Sequence, residues 1–530
     1  MQEETHSNNH ESGYDRILKY TGVFGGVQTL ANLITLVKSK LVAHFIGPAG
    51  MGIAYAFNRT IDLVSKTTDL GISFSAVKTI AERTEEGGLR TEDGGRKTEG
   101  AYPQPLPKGG EEGKPALLLA LERELMVVRS WSLWLGIIGT VACFLLAPLF
   151  SRLSFDGDYG YTLSFRLLAV VVGCTSVTGA ERAILKGTHQ LKQLAVNQMA
   201  VVLATLVVAV PLYMWRGMQG IVPVLVLTAV STLLLTCACS FRAFPYHVNL
   251  FSKKIFCDGS YIVRLGLNYT IAGFLGSGVL FLVSSYMLEH GTAEDVGFYS
   301  NAVILASYLS MLVFSAVETD FYPRLSAVHK DRDASCRLVN EQTEVLVLLT
   351  APLVAVFIVF LPIIIPLLLK RSFMPMLNCS MWAALALFFT ALTRPLSFMS
   401  LSHGDSFTYL MQELFYDLFM AAAVLIGYHE GGLQWAGIAL FVSSVFDWLL
   451  NLTITRIRYR YRVNGKVRRY ALLNGTLLAA VALSLWLFDG WIRWSVGGVL
   501  MLVVCAVSLY FLSKETNLLK KMADRLKMKK

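Results

Sequence analysis

Charge is scarce in this sequence. Asp, Glu, Lys and Arg make up 16% of 530 residues, while 54% are hydrophobic and the mean hydropathy is +0.53. A soluble chain carries roughly a quarter charged residues, so this composition excludes a water-facing surface over most of the molecule. Enzymatic signatures are lacking too. The sequence holds no Walker A loop, no G-x-S-x-G elbow, no H-E-x-x-H helix and no clustered histidine. ATP hydrolysis is therefore excluded, no catalytic residue is assigned, and the chain is not read as an enzyme. Eight cysteines yield only the C-x-C pair Cys237 and Cys239, with no histidine nearby, so neither a metal site, a cofactor nor a disulfide framework is expected. No small-residue cleavage site follows the polar, slightly acidic residues 1–16, and the first apolar helix is expected to stay as an uncleaved anchor.

What the sequence does have is long apolar runs, each about the 20 residues that span a bilayer as a helix. The expected fold is an all-α polytopic membrane protein with about fourteen spans. They lie near 17–45, 50–77, 127–150, 163–180, 195–215, 220–241, 261–288, 297–322, 345–369, 381–399, 409–427, 433–455, 471–488 and 491–512. Lys and Arg orient them. With the N-terminus inside, the inside loops and tails hold 37 of the 47 basic residues, the outside loops 6, and spans 1 and 2 the remaining 4. This asymmetry places both termini in the cytosol. It also accounts for the net charge of +10. The basic loop Arg456, Arg458, Arg460 and Arg462 and the Lys-rich tail are read as facing anionic headgroups, not nucleic acid.

The organisation expected is a cytosolic tail at 1–16, an N-terminal six-helix lobe at 17–241, a cytosolic linker at 242–260, a second six-helix lobe at 261–456, an additional helix hairpin at 457–512 and a basic tail at 513–530. Residues 82–121 form a cytosolic loop insertion. Its centre is rich in Gly, Glu, Lys and Pro, and it is expected to be disordered. A faint repeat supports the two lobes. Asp69 with Ser75, Ala76 and Val77 in span 2 matches Asp320 with Ser326, Ala327 and Val328 after span 8, and Gly47–Gly52 matches Gly291–Gly297 loosely. Two lobes of one orientation around a central cavity would give a transporter.

Charges inside spans are the functional pointers, because each costs roughly 2.5–3.5 kcal/mol at the bilayer centre. The first half carries cations. Arg59, Asp62, Lys66 and Asp69 follow at spacings of 3, 4 and 3, which puts them on one helical face. Exposed to lipid they would cost on the order of 10 kcal/mol before pairing. They either line a hydrated cavity or form a self-neutralising packing ladder. Lys38 in span 1 has no acid within helical reach, which suits an anion ligand such as a pyrophosphate; the alternative is a snorkelling lysine. The second half carries acids. Glu413 and Asp417 stand one turn apart in span 11, with Asp447 in span 12. Two carboxylates so placed raise each other's pKa or hold a cation, as coupling to H⁺ or Na⁺ requires. Asn268 in span 7 adds a neutral oxygen. Simple solvation at the inner surface is the alternative for Glu413.

Lys38 with Gly47-Pro48-Ala49-Gly50-Met51-Gly52, followed by Asp69-Leu70-Gly71-Ile72 and Val77-Lys78, resembles the start of Wzx-type O-antigen and enterobacterial-common-antigen flippases. These are polysaccharide transporters of the multidrug/oligosaccharidyl-lipid/polysaccharide (MOP) exporter superfamily. Glu181-Arg182-Ala183 with Lys186-Gly187, Glu294-Asp295-Val296-Gly297 and Pro323-Arg324-Leu325-Ser326 resemble the family's later patterns. The resemblance covers about 17–456 apart from the insertion. It implies translocation of an undecaprenyl-pyrophosphate-linked oligosaccharide from the cytosolic to the periplasmic leaflet of a bacterial inner membrane, with membrane lipids and the polysaccharide polymerase machinery as partners. It also implies basic ligands at Lys38 and Lys66 and cation ligands at Glu413 and Asp417. The insertion and spans 13 and 14 depart from the family's twelve-span pattern. Span 7 lacks the relatives' acidic ligand, which leaves H⁺ open beside Na⁺. An antiporter of drugs or small molecules is the alternative within the superfamily. A membrane O-antigen polymerase or ligase is the alternative outside it, and the short outside loops argue against that one.

Overall fold

The computed structural model describes residues 13–86, 116–155, 157–188, 190–249, 253–328, 330–488 and 490–516. Among the described residues there are helices and turns but no strands. In chain order the helices are α1 (Gly13–Thr68), α2 (Ile72–Glu86), α3 (Ala116–Ser154), α4 (Thr162–Gly187), α5 (Leu191–Arg216), α6 (Ile221–Ala243), α7 (Lys253–His290), α8 (Ala293–Val328), α9 (Arg332–Leu368), α10 (Leu377–Ser402), α11 (Ser406–Tyr459), α12 (Gly465–Leu487) and α13 (Gly490–Thr516). Short 3₁₀ turns occupy Gly217–Gly220 and Arg371–Met376.

Nine stretches among the described residues are long and apolar enough to cross a bilayer. Three of them, Leu30–Thr68, Lys192–Ala243 and Phe407–Tyr459, run to 39, 52 and 53 residues, enough for two crossings each. With α7 and α8 added, the chain crosses about fourteen times, as the apolar runs predict. The reversals within single helices have a local cause. Gly47 takes φ 65°, a conformation that suits glycine, and Pro48 disfavours helix at the residue before it. Span 1 thus ends at Gly47 and span 2 begins at Pro48. Gly431 and Gly432 break α11 in the same way.

Large apolar side chains cover the outside of the helices, as lipid contact demands. Among the exposed aromatics are Trp215, Trp435, Trp486 and Trp491, the last at 89%. All four lie at helix ends opposite the basic loops, the position of an interfacial belt.

The chain divides into two compact units. Unit 1 holds Met1–Ile46 and Phe57–Ser277; unit 2 holds Gly47–Ala56 and Gly278–Lys530. In unit 1, α4 packs along α3 and α6, α5 lies on α6, and α2 wedges against α3 and α4. Its core joins Ile72, Ala76 and Ile80 of α2 to Leu125, Val128, Ala180, Ile184 and Ile262. In unit 2, α10 is the central helix and touches α8, α9 and α11, while α12 and α13 pack on each other and on α9. Its core gathers Tyr55, Val283, Met287, Val296, Tyr299, Val424 and Tyr428.

Two departures from the expected spans bear on the site. Span 2 is not one helix to Val77. It breaks at Leu70 and Gly71, which take φ 47° and 68°. A Cβ on Gly71 would collide with the Gly266 carbonyl of α7, so this approach of two backbones requires glycine. At the insertion, α2 extends to Glu86 and α3 begins at Ala116. The ends of 82–121 are thus helical, and 87–115 lie outside the described residues. So do residues 1–12 and 517–530 of the tails.

Candidate functional site

The charged residues of the first half lie on α1 and its exit, within unit 1. Lys38 is half-buried. Its ammonium has no ion-pair or hydrogen-bond partner among the described residues. A cation so placed either reaches water or waits for an anion. Arg59 and Asp62 form an ion pair of 3.3 Å across one turn. Lys66 is exposed, and its side-chain stem passes beside Gly273 of α7. Asp62 feels both Arg59 and Lys66 electrostatically. The ladder therefore exists as charge alternation along α1, and Ser65 beside it meets Thr175 of α4 at 3.1 Å.

Asp69 has a further part beside its place in the ladder. The helix has ended one residue earlier. Its carboxylate accepts from the Ser73 amide at 3.3 Å and the Ser73 hydroxyl at 2.9 Å, which satisfies a free amide in the first turn of α2. It also feels Lys66 electrostatically, so it fixes the break while staying beside the last cation of the ladder.

The acids of the second half lie within unit 2. Glu413 and Asp417 are on the first half of α11, Glu413 exposed and Asp417 half-buried. Asp447 faces them from the second half of α11, within electrostatic reach of Glu413, Arg394 and Asp417. Its Oδ1 also accepts from the Asn451 amide at 2.8 Å. The Tyr416 hydroxyl lies among the same four charged groups. Three carboxylates, one guanidinium and one phenol thus gather where α10 meets the two halves of α11. Asn268 is on α7 in unit 1, and its side chain lies outside the described residues, as do those of Glu318 and Asp320.

Two groupings escape the sequence. Arg394, counted with the cytosolic loops by charge, belongs to the carboxylate cluster. Arg129, counted there too, is 2% exposed in α3 and bonds Glu181 of α4, itself 1% exposed, at 2.9 and 3.1 Å. Glu181 also accepts from Ser240 of α6 at 2.5 Å, and Arg129 donates to the Pro245 carbonyl at 2.7 Å. Phe241 and Tyr246 stack on the guanidinium. Nothing in sequence spacing joins residues 52 apart. The only hint is that a charge in an apolar run needs a partner.

The sequence pattern of the family described as Polysaccharide biosynthesis protein matches residues 17–329. The chain belongs to this family. Among solved structures, the inward closed conformation of the lipid II flippase MurJ superposes with a TM-score of 0.67 at 12% identity, covering 93% of this chain and 99% of that one. An inward-facing multidrug resistance MATE family transporter of the MOP superfamily gives 0.61 at 15%, covering 81% and 94%. A MOP superfamily transporter from Pyrococcus furiosus, described as having a binding pocket of reverse polarity, gives 0.52 at 16%, covering 84% and 95%. No curated protein sequence matches the chain. At these identities the structures establish the fold alone. It is the fold seen in MurJ and in the MATE family transporters.

Proposed function

We propose that this family member flips an undecaprenyl-pyrophosphate-linked oligosaccharide, an O-antigen or similar surface-polysaccharide unit, from the cytoplasmic to the periplasmic leaflet of the bacterial inner membrane. Both termini then lie in the cytosol, and the polymerase machinery takes up the product outside. The observation that carries this reading is Lys38, a half-buried ammonium with no partner among the described residues. A pyrophosphate supplies the missing charge, and Arg59 and Lys66 on the same helix extend the basic track. A charge-assisted contact of this kind contributes roughly 1.5–3 kcal/mol.

An ion gradient drives the cycle through the carboxylates of unit 2. Arg394 supports the proton over Na⁺. A permanently charged guanidinium already stands beside Asp447, and a second fixed cation there would be repelled. A proton needs no coordination shell and neutralises one carboxylate of the Glu413 and Asp417 pair. An antiporter of organic cations is the second reading. The carboxylates favour it, and the unpartnered Lys38 disfavours it.

The test is translocation of labelled undecaprenyl-pyrophosphate glycan in proteoliposomes, with and without a pH gradient. Wild type is expected to flip the lipid, and Lys38→Ala to lose roughly 10- to 100-fold in rate while Lys38→Arg retains most of it. A wild-type protein that leaves the lipid in place and moves small organic cations against a gradient overturns the reading.

A further inference from the structure

The outer end of α9 carries a groove of about 590 Å³ lined by Pro362, Ile363, Pro366, Leu367, Arg371 and Met374, all within unit 2. Its apolar wall is open. Ile363 and Leu367 are 50% and 59% exposed. Pro362 and Pro366 stand one turn apart, and each lacks an amide. The Pro362 carbonyl therefore has no helical donor, and α9 is locally loosened along the groove.

Cations stand at the mouth. Lys370 and Arg371 are exposed, and neither side chain has a partner among the described residues. Arg371 opens the 3₁₀ turn Arg371–Met376, which is held in place by the fully buried Phe373 and Met376. Phe373 packs edge-on against Phe298 of α8. The cation is thus presented by a fixed turn.

The position makes these two residues conspicuous. By the charge asymmetry of the loops, this turn faces outside, where the sequence otherwise keeps basic residues to a handful. Adjacent unpaired cations there run against the positive-inside bias. A negatively charged ligand arriving at the outer leaflet gives them a purpose.

We infer that this groove is an outer-leaflet binding site for a polyprenyl pyrophosphate lipid, with the isoprenoid chain along Ile363 and Leu367 and the phosphates at Lys370 and Arg371. Two adjacent cations match the two phosphates of a pyrophosphate, whereas a phospholipid offers a single phosphodiester. The inference rests on the flippase reading and extends it, since it supplies the place where product is held on release.

The experiment uses the full chain in nanodiscs and native mass spectrometry, with undecaprenyl pyrophosphate and phosphatidylglycerol as separate probes. Lys370→Ala with Arg371→Ala is expected to weaken undecaprenyl pyrophosphate binding roughly 30-fold. Ile363→Trp, which fills the groove and leaves the charges, is expected to weaken it roughly tenfold, and Arg371→Lys to retain it. Phosphatidylglycerol binding is expected to change little in any variant. Undecaprenyl pyrophosphate binding at the wild-type level in either the charge or the groove variant overturns the site. An equal loss of both lipids overturns it as well, by showing a general anionic annulus. Flux measured on wild type separates the two readings. Wild type that binds at the groove without flipping the lipid refutes the flippase and leaves the site standing. Wild type that flips, with groove variants that bind unchanged, refutes the site alone.

Discussion

Arg129 and Glu181 meet through two hydrogen bonds, Nε to Oε1 at 2.9 Å and Nη2 to Oε2 at 3.1 Å, with both side chains almost fully buried. Ser240 and the Pro245 carbonyl complete the shell. The pair ties α3, α4 and the end of α6 together at one end of unit 1. Removing one partner leaves an uncompensated buried charge, so Glu181→Leu or Arg129→Met is expected to cost about 3–5 kcal/mol. The double replacement, which buries no charge, is expected to cost clearly less than the sum. Thermal unfolding of the four proteins in detergent measures both.

Gly52 offers a sharper steric test. A Cβ there would collide with the Ala293 carbonyl, and one on Gly297 with that of Pro48. Gly52→Ala is expected to destabilise by about 1–3 kcal/mol through overpacking. Gly498 in α13 has nothing within 4 Å, and Gly498→Ala is expected to raise the melting temperature slightly, because alanine is the better helix former.

Asp405 connects stability to pH. It accepts from the Thr408 amide at 3.2 Å, from the Tyr459 hydroxyl at 3.0 Å and from Arg458 at 2.5 Å. Burial acts to raise its carboxyl, but the Thr408 and Tyr459 hydrogen bonds and the Arg458 guanidinium outweigh it and hold it below the usual carboxylate range. A depressed folded-state value means stability that is fully present above the unfolded carboxylate range near pH 4 and lost as pH falls through the folded value. Asp405→Asn keeps the helix cap and loses only the charge facing the exposed Arg458, so it is expected to cost less than about 1 kcal/mol at neutral pH and to flatten the acid limb of the melting curve. An unchanged acid limb would locate that dependence elsewhere.

Glu413 lies within electrostatic reach of both Asp417 and Asp447, so its charge contributes to the field at the other two. Glu413→Gln is expected to bring gradient-driven flux down to the level seen without a gradient, while lipid binding is retained. Flux that still responds to a pH gradient as wild type does would remove Glu413 from the coupling path.

The sequence displays what is local or periodic. Apolar runs mark the crossings, Gly47-Pro48 and Gly431-Gly432 mark two reversals, and the spacing of Glu413 and Asp417 marks a face of α11. It hides what depends on distant partners. Leu70 takes a left-handed conformation that no propensity for leucine suggests, because Gly71 must lie against Gly266. That break gives Asp69, which still feels Lys66, a second part at the α2 start. Arg394 reads as a residue at the cytosolic edge until α10 brings it to Asp447. Arg129 reads as one more inside cation until Glu181 is found beside it.

Asn340 of α9 has one amide group and one carbonyl oxygen. Its amide donates to the Arg462 carbonyl at 3.0 Å, and its oxygen accepts from the Tyr461 hydroxyl at 2.9 Å and the Asn464 amide at 3.0 Å. The Asn464 side chain in turn reaches Glu344 at 2.6 Å. The stretch that leads into the final helix pair is therefore stitched to the start of α9 before that pair enters the membrane. A chain cut after the twelfth crossing would expose the polar grip of α9 with nothing to hold, so the last hairpin is a structural debt of the second unit and not a detachable tail.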